Sequence, residues 1–324
     1  MLVVNRTGPL NCRLARVADL PQYLHPGDCL VINDTRVIPA RFAARRTTGG
    51  RVDGVYLQSQ ASGEWLVMLR PSGRLKVGEA LELIGGDAHL HLVASHGGGL
   101  WEGRIEPDQP ATALLERIGR TPLPPYIKRP PTGDQARQLD QMDRQRYQTV
   151  YARVPGAVAA PTAGMHLTEA SLAELASAGI KVAPVTLHVG LGTFEPIRAQ
   201  RLEHHRMHAE WYELTPASAQ TISAARAAGG RIVAVGTTAS RVLETCANAD
   251  GQLEPGQGMT DIFIYPPYRF RAVDALLTNF HLPGSTLLAM VFAFAGRERI
   301  LAVYQRAIKQ NLRFYSYGDA MLII

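Results

Sequence analysis

The spacing of hydrophobic and polar positions changes near residue 41. From there to residue 105, short segments with strand character follow one another, and glycine-bearing turns separate most of them. Six short strands at this spacing are typical of a small antiparallel barrel, although an open sheet fits the same pattern. The six predicted strands are 41–45, 51–58, 64–69, 79–84, 88–94 and 100–105.

Helices and strands alternate from residue 147 onward, which predicts an α/β domain with ligands near the carboxyl ends of its strands. A capping-box pattern at Ser171 opens one helix, and Thr215 with Pro216 opens another. A further buried strand is expected at 29–32. The later predicted strands are 181–189, 231–235 and 261–265, and the predicted helices are 171–179, 215–229, 236–246, 285–295 and 298–310.

These patterns predict an α/β fold with two domains. Residues 1–40 and 147–324 form the larger α/β domain, and residues 41–116 form an inserted six-stranded antiparallel β-barrel. Residues 117–146 are a basic connector, because the prolines at 121–131 exclude a helix or a central strand there. Between residues 117 and 153, eight basic residues stand against three acidic ones, which suits either a solvated connector or a surface that contacts phosphates.

Composition narrows the class of protein. Hydrophobic residues make up 46% of the 324 residues, enough for a sizeable core, and the formal charge of +6 permits a polyanionic partner without requiring one. The three cysteines form no CxxC pair, so neither a zinc knuckle nor a disulfide framework is indicated, and a reducing cytoplasm is the simplest setting. The longest apolar stretch, 287–295, is too short to span a bilayer, and no signal peptide is recognised at the start.

Three segments carry candidate chemistry at the predicted ends of strands. The turn at 278–287 places Asn279, His281 and Ser285 before an apolar helix, where they serve either as an ordinary helix cap or as the wall of a site. The junction at 235–240 offers free amides and two threonine hydroxyls to an anion or a ribose. His188 is followed by two glycines that let the backbone approach a ligand closely.

Several familiar motifs are missing from the sequence. There is no GxGxxG or Walker loop, no Gly-x-Ser-x-Gly elbow and no HExxH, which disfavours standard nucleotide-binding folds, serine hydrolases and gluzincins. The histidine-rich run 203–210 has two histidines one helical turn apart, at 204 and 208. A zinc site needs three or four converging ligands, so acid–base or hydrogen-bonding roles are favoured over a metal.

Taken together, the motifs of the chain resemble one family, the S-adenosylmethionine:tRNA ribosyltransferase-isomerases of queuosine biosynthesis. The resemblance covers almost the whole chain in the same order. The segments that carry it are VINDTRVIPAR at 31–41, PLPPYI at 122–127, YQTVYA at 147–152, AAPTAG at 159–164, LHVGLGTF at 187–194, MHAE at 207–210, VAVGTT at 233–238, TNFHLP at 278–283 and YSYGDAMLI at 315–323.

The resemblance implies unusual chemistry, in which S-adenosylmethionine donates its ribosyl group. The acceptor is 7-aminomethyl-7-deazaguanine at the wobble position of tRNA, and the ribose isomerises to an epoxycyclopentane. The products are epoxyqueuosine-tRNA, adenine and methionine. The resemblance also implies a small β-barrel inserted into an α/β domain, no metal and no cofactor besides this donor substrate. A cytoplasmic enzyme, taken as a monomer, is expected.

The residues that match the motifs fall into three groups, according to the role that the implied reaction would give them. Removal of the C5′ proton beside the sulfonium calls for a base, and departure of adenine benefits from a proton donor. Candidates for proton transfer are His166, His188, His208, Glu210, His281 and Asp319. Candidates for substrate binding are Asn33, Asp34, Thr35, Arg36, Thr162, Thr193, Thr237, Thr238, Arg241, Asn279, Ser285 and Tyr317. Candidates for tRNA binding are Lys128, Arg129, Arg144 and Arg146.

The chain departs from the family pattern in a few places. Family members usually carry a stretch before the position of Met1, Met165 and Leu167 replace a usual Leu and Phe, and Pro267 replaces a usual Gly. Two alternative functions are therefore kept beside the enzyme. One is a tRNA-binding protein without catalysis, and the other is a metal-dependent hydrolase built on residues 203–210.

Overall fold

The computed structural model describes residues 1–124, 126–130, 133–190 and 197–324. The chain divides into two compact units. The sheet unit comprises Met1–Thr35, Thr149–Val154 and Pro161–Ile324, and the barrel unit comprises Arg36–Gln148 and Pro155–Ala160.

The elements follow the chain in this order. The strands are β1 (Leu2–Val4), β2 (Cys12–Leu14), β3 (Cys29–Asn33), β4 (Thr35–Val37), β5 (Arg41–Arg46), β6 (Arg51–Ser59), β7 (Trp65–Pro71), β8 (Ala80–Leu83), β9 (His89–Gly97), β10 (Leu100–Glu106), β11 (Val154–Ala157), β12 (Lys181–Leu187), β13 (Glu210–Leu214), β14 (Ile232–Val235), β15 (Gly256–Thr260), β16 (Ala275–Asn279) and β17 (Ala320–Ile323). The α-helices are α1 (Ala111–Ile118), α2 (Asp134–Arg146), α3 (Glu169–Ser177), α4 (Pro216–Ala227), α5 (Gly236–Cys246), α6 (Thr286–Ala295) and α7 (Arg297–Lys309), and 3₁₀ helices cover Val17–Gln22, Thr162–His166 and Leu202–His204.

The sheet unit is built on a mixed sheet, which among the described residues has nine strands in the order β15-β13-β12-β3-β14-β16-β17-β1-β2. Its centre is parallel: β12, β3, β14 and β16 run in one direction, with Leu30 opposite Val182 on one side and opposite Val233 on the other. The strands β13 and β17 run antiparallel to their neighbours β12 and β16. The strands β3 and β14 are buried along their whole length, as the apolar sequences CLVIN and IVAV require of a sheet covered on both faces.

One face of this sheet carries the main apolar cluster of the unit. Alternate residues of the central strands, among them Leu30, Val233 and Leu277, pack there against Leu175 of α3 and Ala163 of the 3₁₀ helix. Because side chains alternate between the two faces of a sheet, every second residue of these strands points towards the face that carries the 3₁₀ helix Thr162–His166.

The barrel unit contains a closed antiparallel barrel, for which the described residues supply six strands in the order β10-β7-β6-β5-β8-β9. The predicted barrel is therefore confirmed. Inward residues alternate with outward ones, as in β6, and the interior holds the fully buried Trp65. Gly54 lies opposite Phe42, and a Cβ there would stand 2.3 Å from the Phe42 ring, so only glycine admits that ring across the strand pair.

Three local predictions need correction. No strand occurs at 261–265; the edge strand is β15, which ends at Thr260. The helix predicted from Ser171 begins at Glu169, since Thr168 is its N-cap and Ser171 is the third helical residue, with each side chain bonded to the other's backbone. The connector predicted at 117–146 contains the 13-residue helix α2.

Domain boundaries also differ from those predicted. The barrel unit takes in residues 36–148, so the predicted connector at 117–146 is grouped with the barrel, as are residues 155–160. Within the part of the chain that the structure describes, no helix is long and apolar enough to cross a membrane.

Candidate functional site

The polar side chains collect at one edge of the sheet unit, where the parallel strands end. At the carboxyl ends of β3, β12, β14 and β16 lie Asn33–Thr35, His188, Gly236–Thr238 and Asn279–His281 respectively. Because parallel strands end at the same edge, these four segments lie together, and such an edge is the usual ligand site of open α/β sheets. The neighbours β13 and β17 run the opposite way, so residues before their first positions reach the same edge.

The turn after β3 is held by its own side chains. The Asn33 amide donates to the Leu187 carbonyl and accepts from the Leu187 N–H, both at 3.0 Å. Asp34 accepts from the Thr186 hydroxyl at 2.7 Å and from the Arg153 guanidinium at 2.7 and 3.1 Å. These contacts join the ends of β3 and β12, so Asn33 and Asp34 have partners within the protein, and their contact with substrate stays a prediction.

Thr35 and His188 form the next part of the edge. The Thr35 hydroxyl lies 2.8 Å from His188 Nδ1, and the imidazole stacks on Trp211 with ring centroids 4.8 Å apart. Burial lowers the pKa of His188 to about 4, although the nearby Asp34 carboxylate opposes that shift. His188 is therefore a neutral ring near pH 7. Arg36, predicted beside Thr35, has an exposed side chain and belongs to the barrel unit.

Glu210 and Arg241 form a buried ion pair. Glu210, the first residue of β13, is 4% exposed, and Arg241 on α5 is 2% exposed. An Arg241 terminal nitrogen binds Glu210 Oε2, while Glu210 Oε1 accepts from the Gly190 N–H at 2.6 Å. Both residues were predicted to act on substrate. The structure instead shows each engaged with the other, and no contact here tests a role in the reaction.

Asn279 organises a second cluster at the edge. Its Oδ1 accepts from the Thr162 hydroxyl at 3.2 Å, and its Nδ2 lies 3.3 Å from His166 Nε2 and 3.3 Å from the Tyr315 carbonyl. The Tyr315 carbonyl can only accept, so the amide group facing it is the nitrogen; this nitrogen is then also the donor to His166, and His166 Nε2 is an unprotonated acceptor. Burial lowers the pKa of His166, and the Asp319 carboxylate opposes this shift.

His281 faces a different neighbourhood. Its Nε2 lies 2.8 Å from the Thr278 hydroxyl, and its backbone N–H donates to the Tyr304 hydroxyl at 2.8 Å. Thr278 and Asn279 are consecutive residues of β16, so their side chains point to opposite faces of the sheet. The prediction that Asn279 and His281 share one site is therefore not supported by their contacts. Burial lowers the pKa of His281 to about 4.

The start of α5 offers a site for an anion. Gly236 has φ +88°, the left-handed conformation that glycine tolerates, and no side chain caps the helix. The Thr238 hydroxyl is buried and has no hydrogen-bond partner among the described residues. A Cβ on Gly236 would lie 3.6 Å from this hydroxyl and 3.5 Å from Ala163, so the helix start abuts the 3₁₀ helix of His166. Free amides at a helix N-terminus attract negative charge.

The remaining candidates of the α/β domain have various positions. Ser285 caps α6 by accepting from the Leu288 N–H at 3.2 Å, as one of its two predicted roles required. Asp319 accepts from the Arg313 N–H at 2.7 Å. Tyr317 is exposed and Thr237 is buried. Thr193 lies outside the described residues.

The side chains of the histidine-rich run 203–210 do not have the arrangement of a metal site. His208 is exposed, and the His205 ring packs edge-on against Phe263 at 5.1 Å. Among the described residues, no group of three or more His, Cys, Asp or Glu side chains has the arrangement of a metal site. This geometry gives no support to the hydrolase alternative.

The four residues predicted to bind tRNA fall into two pairs. Arg129 binds the buried Asp143 through two nitrogens, at 2.8 and 2.9 Å, and Arg144 binds Asp140 at 3.0 Å and Glu116 at 2.8 Å. Lys128 and Arg146 are exposed. Arg129 and Arg144 therefore also form ion pairs within the barrel unit.

Contacts that sequence reasoning missed hold several candidates in place. Trp211 stacks on His188, Arg153 binds Asp34, and the Tyr304 hydroxyl meets the backbone of His281. Of these, only Arg153 carried a sequence signal, since it directly follows the YQTVYA motif.

We expect acid to destabilise the sheet unit through His188 and His281. In the fold both rings stay neutral down to about pH 4, whereas in the unfolded chain they take up a proton near pH 6.5. The unfolded chain thus binds more protons between these values, and stability falls as the pH is lowered from 6.5 to 4, by roughly 2 kcal/mol per ring at pH 5. Urea denaturation at pH 7, 6 and 5 measures this slope. His281→Gln should flatten it and the exposed barrel substitution His89→Gln should not; equal slopes in all three proteins would contradict the expectation.

Comparisons with known proteins agree with this architecture. A family model described as "Queuosine biosynthesis protein" matches residues 1–323. The S-adenosylmethionine:tRNA ribosyltransferase-isomerase of Moorella thermoacetica is 53% identical over 311 residues, which are 94% of this chain and 87% of that protein. The protein of the same name from Ralstonia pickettii is 50% identical over 324 residues, covering 100% of this chain and 87% of the relative. The crystal structure of S-adenosylmethionine tRNA ribosyltransferase from Thermotoga maritima is similar with a TM-score of 0.50 and 31% identity, covering 100% of this chain and 91% of that one.

Proposed function

The chain belongs to the queuosine biosynthesis family of S-adenosylmethionine:tRNA ribosyltransferase-isomerases, and from this membership we propose that it transfers and isomerises the ribosyl group of S-adenosylmethionine onto tRNA. The acceptor is the aminomethyl group of 7-aminomethyl-7-deazaguanine at the wobble position. The products are epoxyqueuosine-tRNA, adenine and methionine.

Beside the family membership that carries the proposal, the buried imidazoles of the sheet unit support it. Burial lowers the pKa of His166, His188 and His281, so all three rings are neutral near pH 7. A neutral imidazole accepts a proton, as removal of the C5′ proton requires, and it does not repel the positively charged sulfonium of the donor. A protonated imidazole could not accept the C5′ proton, and its charge would repel the sulfonium.

The start of α5 suits the other end of the donor. Its free amides and the buried Thr238 hydroxyl are hydrogen-bond donors that match a carboxylate. We assign the methionine carboxylate to this position, with Thr237 beside it. The sulfonium and ribose then extend towards the 3₁₀ helix, which abuts the helix start at Ala163 and bears His166.

The proposal requires no metal and no cofactor besides the donor substrate. The protein side chains supply proton transfer, and the leaving groups are adenine and the sulfide of methionine. The proposed partner is tRNA, and the proposed enzyme is a cytoplasmic monomer.

Adenine release from S-adenosylmethionine tests the function. We expect turnover with tRNA that bears 7-aminomethyl-7-deazaguanine, together with a gain of mass at the wobble nucleotide. S-adenosylhomocysteine lacks the sulfonium and should release no adenine, and tRNA with an unmodified guanine should gain no mass. Activity should survive a metal chelator.

Three other outcomes separate the alternatives. Tight tRNA binding without adenine release would favour a binding protein. Loss of activity on chelation, with recovery on adding back a metal, would favour a metal-dependent enzyme. Adenine release without mass gain on tRNA would leave only nucleoside cleavage and would contradict the transferase proposal.

A further inference from the structure

The barrel unit contains a cleft of about 510 Å³, which is lined by the outer face of β5 and β6, by described residues between 118 and 130, and by one face of α2. Its lining combines apolar residues such as Ile118 and Ile127 with an unusual number of guanidinium groups. We call it the arginine cleft after the five arginines that line it, Arg41, Arg45, Arg51, Arg120 and Arg129.

Four of these arginines form two pairs of like charge across paired backbones. Arg45 on β5 lies directly opposite Arg51 on β6. Arg41 lies directly opposite Arg120, and their backbones exchange two hydrogen bonds at 3.1 and 2.7 Å. Side chains in such positions have Cβ atoms about 5 Å apart, and like charges there destabilise a sheet. A bound polyanion would turn the repulsion within each pair into attraction.

Among the described residues, the acidic side chains that line the cleft beside the five arginines are Asp53, Asp140 and Asp143, so they compensate only part of this charge. Arg129 is neutralised by the buried Asp143. Arg51 meets Asp53 at 3.1 Å, but both side chains are nearly half exposed, and such surface pairs are weak. Arg45 is 4.0 Å from Glu82, with both side chains more than half exposed. The positive charge at the mouth of the cleft is therefore accessible to a ligand.

The arrangement fits a chain of phosphates better than a single small anion. Arg41 and Arg45 lie on the same outward face of β5, about 13 Å apart along the strand. Both are exposed, so they present a row of charge and not an enclosed socket. Guanidinium groups bind phosphate oxygens through two parallel hydrogen bonds, which makes arginine the usual residue for this contact.

We propose that the arginine cleft binds the phosphodiester backbone of the tRNA substrate, with Arg45 and Arg51 as principal contacts. The proposal rests on the proposed function for the identity of the RNA. It also moves the expected contact away from Arg144, which is held by Asp140 and Glu116, to the outer surface of the barrel.

The test compares two variants that each lose two positive charges from the barrel unit. Arg45→Gln with Arg51→Gln removes the facing pair in the cleft. Arg74→Gln with Lys76→Gln removes two exposed charges that do not line it. Binding of fluorescent precursor tRNA is measured by anisotropy between about 50 and 200 mM KCl, the range over which phosphate contacts change affinity most visibly.

We expect the cleft variant to bind tRNA about 10-fold more weakly than the wild type. The slope of log K against log salt should be smaller in magnitude by about 1.5, because each lost phosphate contact lowers that slope by about 0.7 to 0.9. The control variant should stay within about twofold of the wild type. The melting temperature of the cleft variant should equal or exceed that of the wild type, because a repulsive pair has been removed.

Three results would overturn the proposal. Unchanged affinity and salt slope in the cleft variant, while the wild type still releases adenine with tRNA, would refute the cleft and leave the function standing. A lower melting temperature with normal tRNA binding would make the arginines structural. A variant altered only in its binding of inorganic phosphate would assign the cleft to a small anion. Failure of the wild type to bind tRNA or release adenine would instead count against the proposed function.

Discussion

Replacing Arg241 by methionine should lower the free energy of unfolding by about 3–5 kcal/mol, the cost of leaving a buried charge without its partner. Glu210 is 4% exposed, and Arg241 is the charged group that binds its Oε2. The Gly190 N–H at Oε1 is a neutral donor and does not replace that charge. Methionine fills the space of the arginine stem, so the loss reports mainly the stranded carboxylate.

A second substitution separates charge from packing. Arg241→Met combined with Glu210→Gln removes both charges while the glutamine oxygen still accepts from Gly190. Buried pairs replaced as a unit are often nearly neutral, so we expect the double variant to recover at least about 2 kcal/mol of the single variant's loss. Additive effects of the two substitutions would contradict this coupling.

The control is an ion pair on the surface of the barrel unit. Arg137 and Asp134 lie 2.6 Å apart on α2, with side chains 78% and 86% exposed. Arg137→Met should change the unfolding free energy by less than about 0.5 kcal/mol. Urea titrations followed by far-ultraviolet circular dichroism report on helices and strands of both units, so the same measurement covers the Arg241 variants and this control.

The sequence predicted the barrel well because its information is local. Each barrel strand alternates inward and outward residues, as β6 does, and glycine turns mark its ends. The strand predicted at 261–265 failed for the opposite reason: Ile264 is buried without a neighbouring strand. The true edge strand β15 is glycine-rich and half exposed, so it carries no hydrophobic signal.

The site was predicted as a set of positions and not as a set of contacts. The motifs located the strand ends, and the parallel order of β12, β3, β14 and β16 then brought those ends together. Pairings such as Asp34 with Arg153 depend on that order, which no local pattern contains. The alternation within β16 likewise places the side chains of Thr278 and Asn279 on opposite faces, so His281 and His166 have different neighbours.

His166 is the histidine that the structure places best for proton transfer. The Asn279 amide orients its ring, and the Thr162 hydroxyl in turn orients the amide. His166 also follows Ala163, which abuts the start of α5 where the donor's carboxylate is assigned. His281 was also a candidate for proton transfer, but its ring nitrogen contacts Thr278, whose side chain lies on the other face of β16 from Asn279.

We therefore expect His166→Gln to lower the rate of adenine release by at least about 100-fold, the usual range for loss of a general base, with little change in tRNA affinity. His281→Gln should cost less, because that ring lacks the Asn279 contact. Single-turnover adenine release at saturating tRNA and S-adenosylmethionine measures both effects. A larger loss in His281→Gln than in His166→Gln would contradict this assignment and favour His281 as the base.

The pH profile distinguishes proton transfer from support of the fold. A base acts only when unprotonated, so wild-type turnover should fall as the pH drops through the pKa of His166, which burial holds below the usual range. The residual activity of His166→Gln should lack that acid limb, while Asn279→Ala should move the limb because it removes a hydrogen bond to the neutral ring. If His166→Gln kept the wild-type acid limb, the base would have to be another group at this edge, and His188, the neutral ring beside Thr35, would be tested next.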